Sequence, residues 1–366
     1  MNILHLRMLI KKTGSMEKNK YEHYLQYIPG VRFWIITTGV LVTFMALRDA
    51  SHIVNMILLA GFLTAVSIAP LSWLKDRGVN KRLAETIVIL SVVVIVGLIV
   101  LVIGTTMSSF SEKLPVYQMK FEEAWNNMIL YLYNKGIVDS KVAFADSFKS
   151  GSLLAFAAPV ASGFGSVLSG FFIVFLFFIF MITEADMFVK KLNYISKDSS
   201  KEADHIVHQL RNYFGIKTLT SLGTGIAIGL MLYIMNVDFP VLWGFLAFLL
   251  NYIPSIGSII AAIPAVIIAF ILHGAGTGLI VAALYLVLNT IIGNVIEPQL
   301  MGKNLGISPL IVFFSMIFFG FILGPVGMLI ATPLTIIIKI ILDSREVTRG
   351  LGIMLGDGSD IEPQPK

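Results

Sequence analysis

Two long apolar runs, residues 240–272 and 308–342, are each cut near the middle by proline and glycine. The first break reads Asn251-Tyr252-Ile253-Pro254-Ser255-Ile256-Gly257, and the second Leu323-Gly324-Pro325-Val326-Gly327. The punctuation repeats: Pro240, Gly257 and Pro264 in one run answer to Pro309, Gly327 and Pro333 in the other. A backbone in lipid has no water to satisfy its donors and acceptors, so a broken helix at membrane depth belongs where protein or a water-filled cavity surrounds it. A matched pair of interrupted hydrophobic segments points to the central site of a transporter.

The rest of the chain fits a membrane solvent. Of its residues, 56% are hydrophobic and 13% charged; a soluble domain carries about 25% charged residues to cover its surface. Several apolar stretches exceed the ~18 residues that mark a spanning helix. The expected fold is an all-α integral membrane bundle, polytopic, with two Pro/Gly-broken helical hairpins, re-entrant or fully spanning, in an inverted repeat. With no cysteine, disulfides, thiolate metal sites and cysteine nucleophiles are excluded. A formal charge of +5 fits basic membrane-flanking loops rather than a nucleic-acid partner.

Charge sets the expected topology. Residues 1–32 are a basic N-terminus without the pattern of a cleavable signal, and either Met1 or Met16 could begin the chain. Three spans fall within 33–108, with the strongly basic loop Lys75-Asp76-Arg77-Gly78-Val79-Asn80-Lys81-Arg82 after the second. Short Lys/Arg-rich segments stay cytoplasmic, so residues 109–151 would lie outside. There Tyr117, Phe121, Trp125, Met128 and Leu132 recur at helical spacing, as expected of an interfacial or subunit-contact helix. Residues 152–183 form a long uncharged helix in which Ser162, Ser166 and Gly170 make a small-residue packing stripe. Residues 184–215 form a cytoplasmic amphipathic helix that leads into a transmembrane core, 216–343. That core opens with a GxxxG face, Gly225 to Gly229, and contains broken hairpins 240–272 and 308–342. Residues 344–366 return to the cytoplasm, and their end has a disordered composition.

Catalytic motifs are missing: there is no HExxH, GxSxG or Walker A sequence. His205 and His208 are three apart on a polar face with no third ligand in view, so neither a catalytic nor a metal site is expected, nor a cofactor. Ionisable groups within spans are functional candidates because they are costly there. Glu297 stands out, with Asn289 and Gly293 at intervals of four before it and Asn294 beside them. Pro298 lacks an N–H and could free a carbonyl for a cation or solute; equally, Glu297 could mark a solvated helix end. Asn251, Gln299 and Lys217 complete the pathway candidates, and Pro254, Gly257, Pro298, Pro325 and Gly327 shape the breaks.

The block from about 213 to 342 resembles the autoinducer-2 exporter family of bacterial membrane proteins. The resemblance lies in Tyr213-Phe214-Gly215-Ile216-Lys217, Phe239-Pro240, the Asn251–Gly257 break, Ile263-Pro264, Ile296-Glu297-Pro298-Gln299-Leu300-Met301-Gly302-Lys303, Leu305-Gly306-Ile307-Ser308-Pro309-Leu310, and Gly324-Pro325-Val326-Gly327 through Ala331-Thr332-Pro333. Two steps depart from the family pattern. Lys217 stands where a glutamine is common, and Thr183-Glu184-Ala185-Asp186 stands where an Asp-Gly-Glu is common. The resemblance implies a multipass protein of the bacterial plasma membrane, both termini cytoplasmic on the charge count, acting as a homo-oligomer on a small-molecule or ion substrate. Three readings stay open: exporter of a small solute, sodium or lithium/proton antiporter, and non-transporting scaffold or receptor.

Overall fold

The computed structural model describes residues 31–136, 170–185, 187, 190–191, 194, 197–254, 256–301 and 306–358. The expectations for residues 1–30, the 137–169 stretch with Ser162 and Ser166, the 302–305 segment and the end of the tail lie outside them. Among the described residues the chain is all helical, with no strand. Among the described residues, five helices are long and apolar enough to cross a membrane.

The chain divides into two units, Met1–Val54 and Asn55–Lys366. The first holds helix α1, Val31–Asp49, and the opening turn of α2, Ser51–Asp76. In the second unit, α2 buries Ala60, Thr64, Ser67 and Leu71 on one face. Helix α3 runs Lys81–Asn134, with Asn80 as its N-cap, the side chain accepting from the Arg82 N–H. Helix α4 is Gly170–Ala185. Its Val174, Phe178 and Ile182, spaced by four, pack with Ala60 of α2 and Ala84 and Val88 of α3.

The span and the amphipathic stretch expected as separate pieces on either side of residue 108 are one helix of 54 residues, about 80 Å long. Its apolar stripe begins before the expected one. Ile103, Met107, Phe110, Leu114 and Tyr117 alternate by four and three and pack against Trp243, Leu242 and Ile228. That continuous seam carries the helix through Pro115 without a stop.

Helix α5, Lys197–Ile234, joins the amphipathic stretch and the following span in one rod. It turns through residues 235–239, where Asn236 and Phe239 have left-handed φ of 54° and 61°. Helix α6 follows, Pro240–Leu250. The α5–α6 contact is a glycine crossing: a Cβ on Gly225 would meet the Gly244 carbonyl at 2.7 Å. Gly225→Val is expected to lower stability by ~1–3 kcal/mol. Gly223→Ala, which opens onto free space, should leave the detergent melting curve unchanged.

Helix α6 has only 11 residues, about 16 Å, half of a ~30 Å hydrocarbon core. The chain then reverses after Leu250, through residues 251–254, before α7, Ile256–Thr290. A Cβ on Gly257 would strike the Leu250 carbonyl, a closeness impossible along an unbroken rod, where seven residues rise about 10 Å. Helix α7 reverses again at Gly274, φ 82° and ψ 177°, bringing Gly278 beside Phe270. It continues as a π-helical turn, Ile291–Ile296, and then α8, Glu297–Met301. Helix α9, Pro309–Asp343, folds back at Gly324, φ 66° and ψ −151°, and Gly327 lies against the Phe319 carbonyl. Helix α10, Arg349–Leu355, closes the described chain, with its Leu355 carbonyl accepting from the Ser308 N–H at 3.0 Å.

The two broken segments meet α5 from different ends. In the first, the legs lie beside the C-terminal end of α5, where a ring nitrogen of His273 is 2.9 Å from the Asn236 carbonyl. In the second, Ile307, Ile336 and Ile340 pack on Tyr213 and Phe214, nearer the N-terminal end. Between them Ile253, at the first break, packs on Met316 and Ala331 of α9.

A polar clamp holds the α5–α6 turn. Asp238 accepts from the Lys113 ammonium at 2.9 Å and the Tyr117 hydroxyl at 2.6 Å. Partial burial pushes the Asp238 carboxyl up, but the Tyr117 and Lys113 hydrogen bonds and the Lys113 and His273 charges outweigh it, holding the group below the usual aspartate range. A depressed carboxylate contributes stability above its unfolded value, and that contribution disappears as pH falls through the folded value. Asp238→Asn should therefore lower the melting temperature at neutral pH and converge with the parent in acid below the aspartate range. Parallel curves at both pH values would refute the clamp.

Candidate functional site

One face of α5 is polar where a lipid-facing helix would be apolar. Lys217, Thr220, Ser221 and Thr224, at i, i+3, i+4 and i+7, are all buried, Lys217 at 5% exposure and Ser221 at 0%. Thr220 and Thr224 each bond back into their own helix. Such a stripe needs polar partners on the facing elements, and it has them.

The Lys217 ammonium lies 2.7 and 2.9 Å from the two carboxylate oxygens of Glu297. Thr220 adds a longer contact, its hydroxyl 3.4 Å from the same carboxylate. The side chains of Lys217 and Glu297 are 6% and 15% exposed, so both charges have lost most of their water. Desolvating each costs several kcal/mol, which only a well-made partner geometry returns. One turn further along, the first break contributes its own pair. The Asn251 amide donates to the Ser221 hydroxyl at 3.0 Å, and the Tyr252 hydroxyl to Thr218 at 2.8 Å. Edge-on contact with Phe62, which also touches Phe214, fixes the Tyr252 ring.

Glu297 reaches Lys217 because the helix before it changes register. In the π turn the Glu297 N–H donates to the Ile292 carbonyl, five residues back, and Pro298 has no N–H with which to resume the α ladder. Residues four apart no longer stack across this turn. That is why the face expected from Asn289, Gly293 and Glu297 does not assemble. Asn289 is half-buried, Asn294 and Gln299 are exposed, and the structure joins none of the three to the Lys217–Glu297 pair. Of the shaping residues, Gly257 and Gly327 are buried at the close approaches, Pro254 is half-buried in the first break, and Pro298 and Pro325 are exposed.

Thr218, Thr220, Ser221, Tyr252 and Thr332 were not singled out from the sequence. The signal for the first three was available in the Lys217-Thr218-Leu219-Thr220-Ser221 run inside an apolar helix. Thr332 of α9 is 4% exposed and lies against the Tyr213 side chain of α5. It follows Ala331, which packs on Ile253 at the first break. Among the described residues no group of three or more His, Asp or Glu could hold a metal. The site offers a carboxylate, an ammonium, an amide and several hydroxyls, chemistry for binding and for proton or ion exchange rather than for bond cleavage.

Comparison with known proteins identifies the family. The model of the AI-2E family transporter matches residues 33–346. A protein of Haemophilus influenzae is 34% identical over 333 residues, 88% of this chain and 96% of its own. The AI-2 transport protein TqsA of Escherichia coli K12 is 30% identical over 327 residues, 88% of this chain and 95% of its own. YhhT of the same strain is 29% identical over 332 residues, 90% and 95% of the two chains. The match takes in α5 with its polar stripe, both broken segments and Glu297, and the chain belongs to the AI-2E family of membrane transport proteins, not to a family of enzymes.

Proposed function

We propose that the chain exports a small polar solute across the bacterial plasma membrane, and that the Lys217–Glu297 pair with Asn251, Ser221, Tyr252 and Thr332 forms the solute site. The carrying observation is the buried ion pair tying α5 to the π-distorted end of α7, one turn from the first break. In this reading the two broken segments are re-entrant hairpins in an inverted repeat, because their legs meet α5 from different ends. Inverted repeats with broken helices at their junction allow alternating access by rocking one half against the other. Both termini lie in the cytoplasm on the positive-inside rule, and the working unit is a homo-oligomer by family resemblance. Autoinducer-2, the solute in the name of the Escherichia coli relative, is the first candidate, since a hydroxyl-lined site suits a neutral polar molecule.

The test is efflux from proteoliposomes loaded with autoinducer-2. Glu297→Gln and Asn251→Ala are expected to reduce the initial rate by tenfold or more, the equivalent of ~1.4 kcal/mol or above, in protein that elutes as a single folded species. Parent-like rates in both variants would remove these residues from the pathway. A second reading, sodium or lithium/proton exchange at Glu297, is favoured by the same pair, since a buried carboxylate can hold a sodium ion in place of its ammonium partner. A pH gradient imposed on solute-free vesicles separates the two, because only the exchanger then moves sodium.

A further inference from the structure

Beyond the solute site, α2 and α5 enclose an open groove of about 330 Å³. Ser72, Trp73 and Asp76 come from the last turns of α2, and Arg211, Asn212 and Gly215 from α5. Two features mark it as a membrane-interface site rather than a solute channel. The first is its level: α2 carries no Asp, Glu, Lys or Arg before Lys75, and the groove lies where that uncharged stretch gives way to charge. Trp73 is 53% exposed, with the Arg77 guanidinium 4.1 Å above its ring. Tryptophan favours the headgroup level, where its ring is apolar and its N–H is wet. The second is its charge. Lys75, Arg77, Lys81 and Arg82 surround Asp76 in sequence. Arg211, half-buried in the groove wall, has no hydrogen bond or ion pair among the described residues. A guanidinium presents five donors in a planar fork that matches phosphate oxygens.

We propose that the groove binds the headgroup of an anionic glycerophospholipid, with the phosphate on Arg211. Ser72 and Asn212 supply further hydrogen bonds to the phosphate. The Asp76 carboxylate accepts from the hydroxyls of a glycerol headgroup, donors that a choline headgroup lacks. The surrounding cations favour a lipid of net negative charge and offset Asp76. Basic clusters beside a span attract anionic lipids in this way. The lipid would brace α2 against the half of α5 that leads to Lys217.

The experiment uses the full chain, delipidated in detergent and titrated with phosphatidylglycerol, phosphatidylcholine or inorganic phosphate, read by native mass spectrometry and thermal melting. Phosphatidylglycerol should be retained and should raise the melting temperature, and phosphatidylcholine should do neither. Arg211→Gln is expected to weaken phosphatidylglycerol retention about fivefold, the effect of one basic residue near an anionic surface. Asn212→Ala gives a smaller loss and serves if Arg211→Gln folds poorly. Lys135→Gln, at the far end of α3, should bind like the parent. Equal retention of the two lipids would overturn the proposal, as would an equal loss in Lys135→Gln and Arg211→Gln. A full melting shift from inorganic phosphate alone would overturn the lipid assignment in favour of a soluble anion. None of these readouts depends on transport, so the result stands apart from the flux test of the solute site.

Discussion

Lys217→Met is expected to cost about 3–5 kcal/mol of stability, and Lys217→Met/Glu297→Gln to recover most of it. Removing one partner of a buried ion pair leaves the other charge without water or counter-ion, and that is the expensive state. Replacing both by neutral side chains of similar length removes the desolvation cost together with the attraction, so the double variant approaches the parent. Here the bidentate geometry, 2.7 and 2.9 Å, leaves the Glu297 carboxylate, among the described residues, with only the 3.4 Å Thr220 contact once Lys217 is gone. Glutamine at 297 keeps a carbonyl for Thr220. Melting temperatures of the four proteins in one detergent complete the cycle. Additive losses in the double variant would mean that the two residues do not act as a pair. Stability recovered without recovered efflux would separate the structural role of the pair from its role in transport.

Gly327→Val is expected to destabilise by ~3 kcal/mol or more, at the top of the range for overpacking. The new Cβ would fall on the Phe319 carbonyl, a backbone atom that cannot rotate aside, and close to the Leu323 side chain. The legs of the second hairpin would have to separate, breaking the contact of Met316 and Ala331 with Ile253 at the first break. Gly324→Ala tests a different property at the same bend. Its Cβ meets open space, but the backbone φ of 66° with ψ near −151° is a region that L side chains avoid. The smaller loss should therefore belong to Gly324→Ala. If Gly327→Val melts with the parent, the legs are not in contact and the hairpin is wrong.

Much of this architecture can be read from residue order. Membrane residence follows from having too few charges to cover a globule. The breaks follow from Pro254, Gly257, Pro325 and Gly327, because proline and glycine disrupt the helical ladder wherever they cluster in an apolar run. The GxxxG face of α5 packs as its spacing implies, with Gly244 as the partner that spacing alone did not name. Glu297 and Lys217 both stood out because charge inside a span is costly.

Other features were hidden. Periodicity divided α3 near residue 108, but a change from lipid-facing to protein-facing side chains is a change of surroundings and not of helix. The stripe of Asn289, Gly293 and Glu297 assumed an α register, and the π turn at Ile291–Ile296 rotated Glu297 away from it. Asn251 was a candidate from sequence; that it pairs with Ser221, 30 residues away, depends on the short α6 running back along α5.

By itself, then, the sequence determined the solvent, the helical class, the positions of the breaks and which rare charges were candidates. These are local quantities, set by transfer free energy and backbone conformation residue by residue. Only the tertiary structure decided that Lys217 answers Glu297, that Asn251 answers Ser221, and that the two broken segments approach α5 from different ends. Those pairings depend on helix register and on the direction of each reversal, which small changes at Gly274, Gly324 or the π turn would alter without changing the hydrophobic pattern.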